Sequence, residues 1–412
     1  MAWMKADKIL ALILVSATSL STALAQVSSK PAPRRETFGS SLKQAPSILE
    51  KQPDAQTTSK ESSDASLAIE TIRIDTTLVV NDVLVTDASG TRPILGLNKD
   101  DFVVVEDNVP QQVATFTAGN DAQHLPRSIV LIVDRSISQV AYLEQSMAAA
   151  GKLIDQLAPT DQVAIVDDSV KLWIDFTNNK GKLKSTLKAI GKYARDGFPS
   201  SSLQFSALLA TLRELIDTNK VRPIIIFQTD GDEASLLNTI SRSGKKILAI
   251  PYGMDDIYKE VERSRVEIYS VIPSDRLIGI PGDELMSRGR ELLKKEARTW
   301  NEKYNKYGPG AKLREPGSDN AIEFSIQTFA QGQMAATHVA EISGGWAEFL
   351  EQPEQAAGIY ARILSDINSR YIIGYYPTNK SQDGQLRRVR IEVRGHPEYS
   401  VHGRQSYYAT SH

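Results

Sequence analysis

The chain reads as an α/β protein: a doubly wound, mainly parallel sheet with a small N-terminal β module and a C-terminal β-hairpin. Three observations predict this. From Arg127 onward, apolar strands alternate with amphipathic helical stretches, the pattern of strands joined by crossover helices. Two of those strands, Ile129–Val133 and Ile224–Phe227, are unbroken apolar runs rich in β-branched residues, as central strands buried on both faces require. Before residue 118 and after residue 371, apolar residues instead recur with period two between turn signals.

Met1 to Ala25 carries Lys5 and Lys8, an apolar stretch from Ile9 to Val15, then Ala23-Leu24-Ala25. This is the anatomy of a secretory signal cleaved between Ala25 and Gln26. The apolar stretch is far shorter than the roughly 20 residues needed to span a bilayer, and no other stretch approaches that length. The mature chain is therefore expected to be exported, periplasmic or secreted, without a membrane span. Loss of two lysines and one aspartate with the signal takes the net charge from −2 to −3. That is close to neutrality and gives no footprint of a nucleic-acid partner. The chain has no cysteine, which excludes both a disulfide framework and an acylated lipoprotein anchor.

Residues 26–67 are rich in Ser, Pro, Gln, Lys and Ala and poor in large apolar residues, so they are expected to be a disordered linker. In 68–118, Ile72, Ile74, Val79-Val80, Val83-Leu84-Val85, Val103-Val104-Val105 and Val113 to Phe116 supply four or five short strands of a small β-rich module. The α/β domain is expected over 125–370. Strands at 128–134, 163–166, 172–176, 223–229, 247–250 and 266–272 alternate with helices at 139–157, 183–190, 205–216, near Leu236, 326–342 and 353–368. An insertion at about 275–320 would bear a charged amphipathic helix with Leu285, Leu292, Leu293, Trp300 and Tyr304 on its apolar face. The extension 371–409 pairs Tyr371–Tyr376 with Arg387–Val393 as a hairpin around a turn at Lys380–Gly384.

The chemistry lies where the apolar strands end. Asp134, Ser136 and Ser138 follow the first, one carboxylate and two hydroxyls on alternate residues. Such hard oxygen ligands can converge on a small divalent cation. Residues just past the carboxyl ends of strands line the crevice where open α/β sheets bind ligands. The strand 223–229 runs into Thr229-Asp230-Gly231-Asp232 and adds carboxylates at the same edge. Aspartate and serine also cap helices, so the reading rests on both strands together.

In order and spacing these residues resemble a von Willebrand factor type A domain with a metal-ion-dependent adhesion site. Over roughly residues 70–409 the chain is similar to the acidobacterial family related to that domain. The resemblance is carried by Asp134-Arg135-Ser136-Ile137-Ser138 and Thr229-Asp230-Gly231, and by Leu97-Asn98-Lys99-Asp100-Asp101-Phe102 with Val105-Glu106-Asp107. Ser343-Gly344-Gly345, Tyr371-Ile372-Ile373-Gly374-Tyr375 and the closing Gly403–Ala409 complete it. It implies a Rossmann-like sheet and a metal site of Asp134, Ser136 and Ser138, with Asp230 as the later aspartate that usually reaches the ion through water. Aligning Ser206-Ala207-Leu208 with the family's helix start puts Ser202 where the family has a threonine; serine keeps the hydroxyl and loses a methyl. Ile137 stands where many relatives carry glycine or another small residue. The resemblance further implies Mg²⁺, or Mn²⁺ or Ca²⁺, with one coordination position left open for a carboxylate from a partner protein.

An enzyme would need a nucleophile or base set. The chain has no H-E-x-x-H, no G-x-S-x-G and no phosphate-cradling G-x-x-x-x-G-K, and its five histidines, at 124, 338, 396, 402 and 412, are scattered. The sequence thus favours an exported, non-enzymatic binding or adhesion protein that holds a protein partner through a divalent metal. A cell-envelope scaffold with a metal-free site is the alternative, and a metal-dependent hydrolase using Asp134, Asp230 and Asp232 is the third reading.

Overall fold

The computed structural model describes residues 37–43, 78–122, 125–193, 202–217, 222–237, 250–305 and 318–409. The chain divides into Met1–Glu36 and Thr37–His412, and every described residue belongs to the second unit. The signal segment, Ile72, Ile74 and the strand expected up to Ile250 lie outside the described residues, save Ile250 itself, which is not in a strand.

In chain order the strands β1 (Val79–Thr86), β2 (Phe102–Glu106), β3 (Val109–Gln111) and β4 (Val113–Thr117) lead through a short helix, α1 (Gly119–Ala122), into β5 (Arg127–Val133). Then come α2 (Val140–Gln156), β6 (Gln162–Asp167), β7 (Lys171–Thr177), α3 (Lys180–Tyr193) and α4 (Gln204–Glu214). These are followed by β8 (Arg222–Gln228), α5 (Ala234–Leu237), α6 (Met254–Arg263) and β9 (Glu267–Ile272). Two long helices, α7 (Gly282–Asn305) and α8 (Asp319–Ser343), precede β10 (Ala347–Phe349) and α9 (Ala356–Ser369). The chain closes with β11 (Tyr371–Tyr375), β12 (Leu386–Val393), β13 (Ser400–His402) and β14 (Ser406–Tyr408).

One sheet has six strands in the order β10-β9-β8-β5-β6-β7. β5 lies between β8 and β6, parallel to both, with Val133 opposite Gln228 on one side and Asp167 on the other. The β8–β9 and β9–β10 pairs are also parallel, and β6–β7 is antiparallel. Alternation along the strands divides the side chains between two cores. Ile129, Leu131, Val133, Ile224 and Ile226 pack with Leu143, Leu153, Leu187 and Ile363 from α2, α3 and α9. Val130, Ile132, Ile225 and Phe227 pack with Leu208, Ile257 and Val339 from α4, α6 and α8. With helices against both faces, the middle of β5 and of β8 is apolar on both sides, which is why these runs are unbroken. Of the expected insertion, α7 is helical and joins α8 through Leu277, Leu292 and Phe329; the side chains of Trp300 and Tyr304 lie outside the described residues.

Two expectations need correction. The C-terminal hairpin does not form. β11 pairs with β1 and β4, whereas β12 pairs with β2 and β14. The result is two antiparallel four-stranded sheets, β13-β1-β11-β4 and β14-β12-β2-β3, each built from both ends of the domain. Among the described residues, mainly parallel pairing therefore belongs to the six-stranded sheet alone, and antiparallel pairs predominate overall. The strands of the two terminal segments interleave across both sheets, so each apolar face is completed by strands from the other segment. Together they enclose one core in which Val83, Val85, Phe102 and Val104 meet Tyr371, Ile373, Val389 and Val393. Buried Glu106 accepts hydrogen bonds from Tyr375 and Tyr407, each at 2.8 Å, and so pins the two sheets together.

The second correction concerns the linker. Thr37–Lys43 is ordered, with Phe38 and Leu42 packed against the α4 side of the core. The backbone N–H groups of Gly39 and Ser41 donate to the carboxylate of Glu214, at 3.0 and 2.9 Å. Two apolar residues four apart and the Glu214 carboxylate together dock a segment whose composition is otherwise that of a linker.

The six-stranded sheet and β1 meet at Arg370, which is fully buried. Its guanidinium lies 3.1 Å from Glu267 and donates to the Tyr269 hydroxyl, the Asp82 carbonyl and the Gly344 carbonyl at 3.1, 3.1 and 2.7 Å. Gly344 ends α8 at φ 85°, a left-handed conformation suited to glycine. Arg222 extends the network to Asp82 at 2.9 Å. Arg370→Met should leave Glu267 buried without its main counter-charge and destabilise the protein by about 3–5 kcal/mol. Urea unfolding checks this; a loss below about 1 kcal/mol would show that the network is dispensable.

Candidate functional site

Because β5, β8 and β6 run parallel and in register, the residues that follow them emerge side by side. Asp134 follows β5, Thr229 and Asp230 follow β8, and Asp168 follows β6. Cross-strand hydrogen bonds continue past the strand ends and hold these segments together: Asp134 N–H to Gln228 O and Asp168 N–H to Val133 O, each 3.1 Å. Gly231 turns the chain at φ 79°, and its Cα lies so close to α8 that an added Cβ would meet the Gly332 backbone at 2.4 Å.

The five residues expected at the site lie in one hydrogen-bonded network. Asp134 Oδ1 accepts from the Ser136 backbone N–H at 2.8 Å. Ser136 Oγ lies 2.9 Å from Ser138 Oγ, and Ser138 Oγ donates to Asp230 Oδ2 at 2.5 Å. Ser202 joins through the side-chain amide of Gln204, whose Nε2 lies 2.8 Å from Ser202 Oγ, 2.5 Å from Asp134 Oδ2 and 2.9 Å from Asp230 Oδ1. Ile137 belongs to a short helical turn between them, and its side chain lies outside the described residues. Asp232 contributes its backbone N–H to Asp230 Oδ1 at 3.1 Å.

Sequence reasoning missed several members. Gln139 Nε2 donates to Asp230 Oδ2 at 2.8 Å. Asp168 accepts from the Arg135 N–H at 3.1 Å and from the Ser202 hydroxyl at 3.3 Å. Arg135 lies 3.1 Å from Asp167 and over the ring of Trp173. Glu233 holds the start of α4, accepting from the N–H groups of Phe205 and Ser206 at 2.7 and 3.0 Å and from the Ser206 hydroxyl. Asp167-Asp168 carried the same signal as Asp134 and Asp230, carboxylates closing an apolar strand. The two glutamines carried none, since a polar residue at a helix start reads as solvated.

Burial dominates the electrostatics. The Asp134 carboxyl is driven well above its ordinary range by burial and then by the neighbouring Asp230 and Asp168, against the Ser136 hydrogen bonds. Asp168 is pushed up to about 6 by burial, against the Arg135 N–H. Glu233 is pushed up to about 7 by burial, against its bonds from Ser206 and Phe205.

Chemically the set suits a hard cation. Oxygens from three separate segments, after β5, before α4 and after β8, converge on one point, and two of them belong to carboxylates. The atom standing at that point is the nitrogen of Gln204. Among the described residues, no three His, Cys, Asp or Glu side chains form a metal-holding cluster; the convergent set here mixes carboxylates with hydroxyls. Gln139 Oε1 is buried with no hydrogen-bond partner.

No protein-family model matches this chain, and no curated protein does. Among solved structures it is similar to an aerotolerance-related membrane protein of Bacteroides fragilis carrying multiple mutations to serine, at 15% identity over 59% of this chain and 98% of that one, TM-score 0.35. It is similar to the vWF domain of the type V pili tip protein Mfa5 from Porphyromonas gingivalis, at 12% identity over 59% and 95%, TM-score 0.31. It is also similar to the manganese-loaded TRAP protein of Plasmodium vivax, at 11% identity over 74% and 97%, TM-score 0.29. All three likenesses are remote. A von Willebrand factor domain is thus among the solved structures that this chain resembles.

The raised carboxyls have a consequence for stability. Asp134, Asp168 and Glu233 hold protons more tightly in the fold than in the unfolded chain, so between pH 5 and 8 the native state binds more protons. Stability is then greatest at the acid end and falls as pH rises through about 6–7. In EDTA, Tm should fall from pH 5 to pH 8, and Glu233→Gln should flatten the upper part of that fall. A Tm that stays level or rises over this window contradicts it.

Proposed function

We propose that the chain is an exported, non-enzymatic binding protein of the von Willebrand factor type A kind, its doubly wound sheet presenting a divalent-cation site to a protein partner. The carrying observation is the convergence of Asp134, Ser202 and Asp230 oxygens on one point, with Ser136 and Ser138 bonded into the same network. Asp134, Ser136, Ser138, Ser202 and Asp230 would hold the ion, Mg²⁺ or Mn²⁺ or Ca²⁺. When bound it supplies an open coordination position to a carboxylate of the partner. The chain's own residues do the positioning. Glu233 anchors the helix start that carries Ser202 and Gln204, Gly231 packs the Asp230 loop against α8, and Arg135 ties the Asp134 loop to Asp167.

The division into a signal at 1–25, a linker over 26–67 that docks on the core at Thr37–Lys43, the α/β domain at 125–370 and terminal β segments at 68–118 and 371–409 belongs to the same proposal. A leader cleaved after Ala25 would deliver the chain to the periplasm or medium. No helix among the described residues is long and apolar enough to cross a membrane. A second reading, an envelope scaffold whose site works without metal, is favoured by one observation: the carboxylate oxygens of Asp134 and Asp230 all have donors from the protein itself.

Asp134→Ala separates the two. Asp134 is the charged group expected to touch the ion directly, so its loss should abolish cation binding and leave the fold standing. At a hundredfold excess of Mg²⁺ over its dissociation constant, wild type should gain about 2.7 kcal/mol and the variant nothing. Thermal melts of both in EDTA and in millimolar Mg²⁺ or Mn²⁺ read this out. A wild-type melt that no cation moves decides for the scaffold.

A further inference from the structure

Gln204 is the first residue of α4, and its side chain is buried at the centre of the site. Its Nε2 faces three acceptors at 2.5, 2.8 and 2.9 Å, Asp134 Oδ2, Ser202 Oγ and Asp230 Oδ1. Its Oε1 accepts from the Thr229 hydroxyl, which fixes the orientation of the amide. An amide nitrogen has two hydrogens, so three oxygens crowd a donor that can serve two of them fully. These oxygens come from three different segments and share no bond with one another. What they share is the point on which they converge, and Gln204 supplies the atom that stands there.

We propose that Gln204 is an internal competitor for the cation, occupying the ion's place with its amide and withdrawing before a divalent ion can bind. This rests on the reading that Asp134, Ser202 and Asp230 hold such an ion. The amide offers the same oxygens a partial positive charge and two hydrogens, and a dication offers them a full charge. Exchange therefore favours the ion by Coulomb attraction but sacrifices the bonds of Gln204, including the one from Thr229. The consequence is a site that closes on itself at low ion concentration, keeps its carboxylates satisfied, and opens only where the ion is abundant. Gln139, the other glutamine, bonds to the opposite oxygen of Asp230 and stands clear of the convergence point.

The test is calorimetric titration of chelator-stripped full-length protein with MnCl₂. The samples are wild type, Gln204→Ala, Gln204→Ser and the double variant Gln204→Ala with Asp134→Ala. Gln204→Ser removes the amide and keeps a hydroxyl suited to a helix start, in case the alanine variant does not fold. Both single variants should bind one Mn²⁺ about tenfold or more tightly than wild type, the fold-change expected if one net hydrogen bond no longer has to be broken. The double variant should bind none. Equal affinities in wild type and single variants overturn the competitor role and leave the metal site standing. Weaker binding in the single variants also overturns it, because Gln204 would then be a ligand. Absence of binding in every sample overturns the metal site itself and this proposal with it.

Discussion

The rest of the site depends on one constraint: two carboxylates forced together at the end of a buried sheet. Parallel pairing of β5 with β8 puts Asp134 and Asp230 within hydrogen-bonding reach of the same nitrogen, with Asp168 a strand away. Like charges so close and so buried are unfavourable unless donors or a cation surround them. The neighbouring groups answer to that need: the Ser136 and Asp232 N–H groups, the Ser138 hydroxyl and the amides of Gln139 and Gln204 all point at carboxylate oxygens. The same oxygens that demand donors are those that would attract a dication. Structural neutralisation and ligand binding are therefore alternatives for one set of atoms.

A second constraint makes the domain one body. The six-stranded sheet leaves β9 and β8 with buried charges at their amino ends, Glu267 and Arg222, and these meet Asp82 of β1 and Arg370 at the start of β11. Arg370 also bonds the Gly344 carbonyl at the end of α8, so the Ser343-Gly344-Gly345 segment has a structural role. At Gly345 an added Cβ would fall 1.9 Å from the Ile268 carbonyl oxygen, so the backbone here presses directly on β9. Such a network leaves little tolerance for removing one partner. It ties the terminal strands to the end of the large sheet away from the carboxylate cluster.

Much of the α/β core was legible because its signals are local and strong. Unbroken apolar runs gave β5 and β8, and helical spacing gave α2, α4, α8 and α9 to within a few residues at most ends, α8 starting earlier than its periodicity suggested. The hairpin at the C-terminus was misread because period-two alternation shows that a segment is a strand and not which strand it joins. β11 and β12 both have nearby turn residues between them, yet their apolar faces are covered by β1, β4 and β2 from the other end of the domain. Phe38 and Leu42 were hidden by composition averaged over a long polar stretch.

For the site, the sequence by itself determined which oxygens are present and which strand ends carry them. Asp134, Ser136, Ser138 and Asp230 follow from the rule that residues past the carboxyl ends of parallel strands line one crevice. Only the tertiary structure decided what stands among them. Gln204 reaches the centre because Glu233, from the loop after β8, caps α4 and fixes its first turn beside Asp134. Gln139 reaches Asp230 because the turn after Ser136 directs it inward. Neither placement has a local signature: an amide is neutral, common at helix starts and indifferent to periodicity, and its partners here are distant in the chain. Contacts of that kind are specified by packing between elements, and packing exists only once the chain has folded.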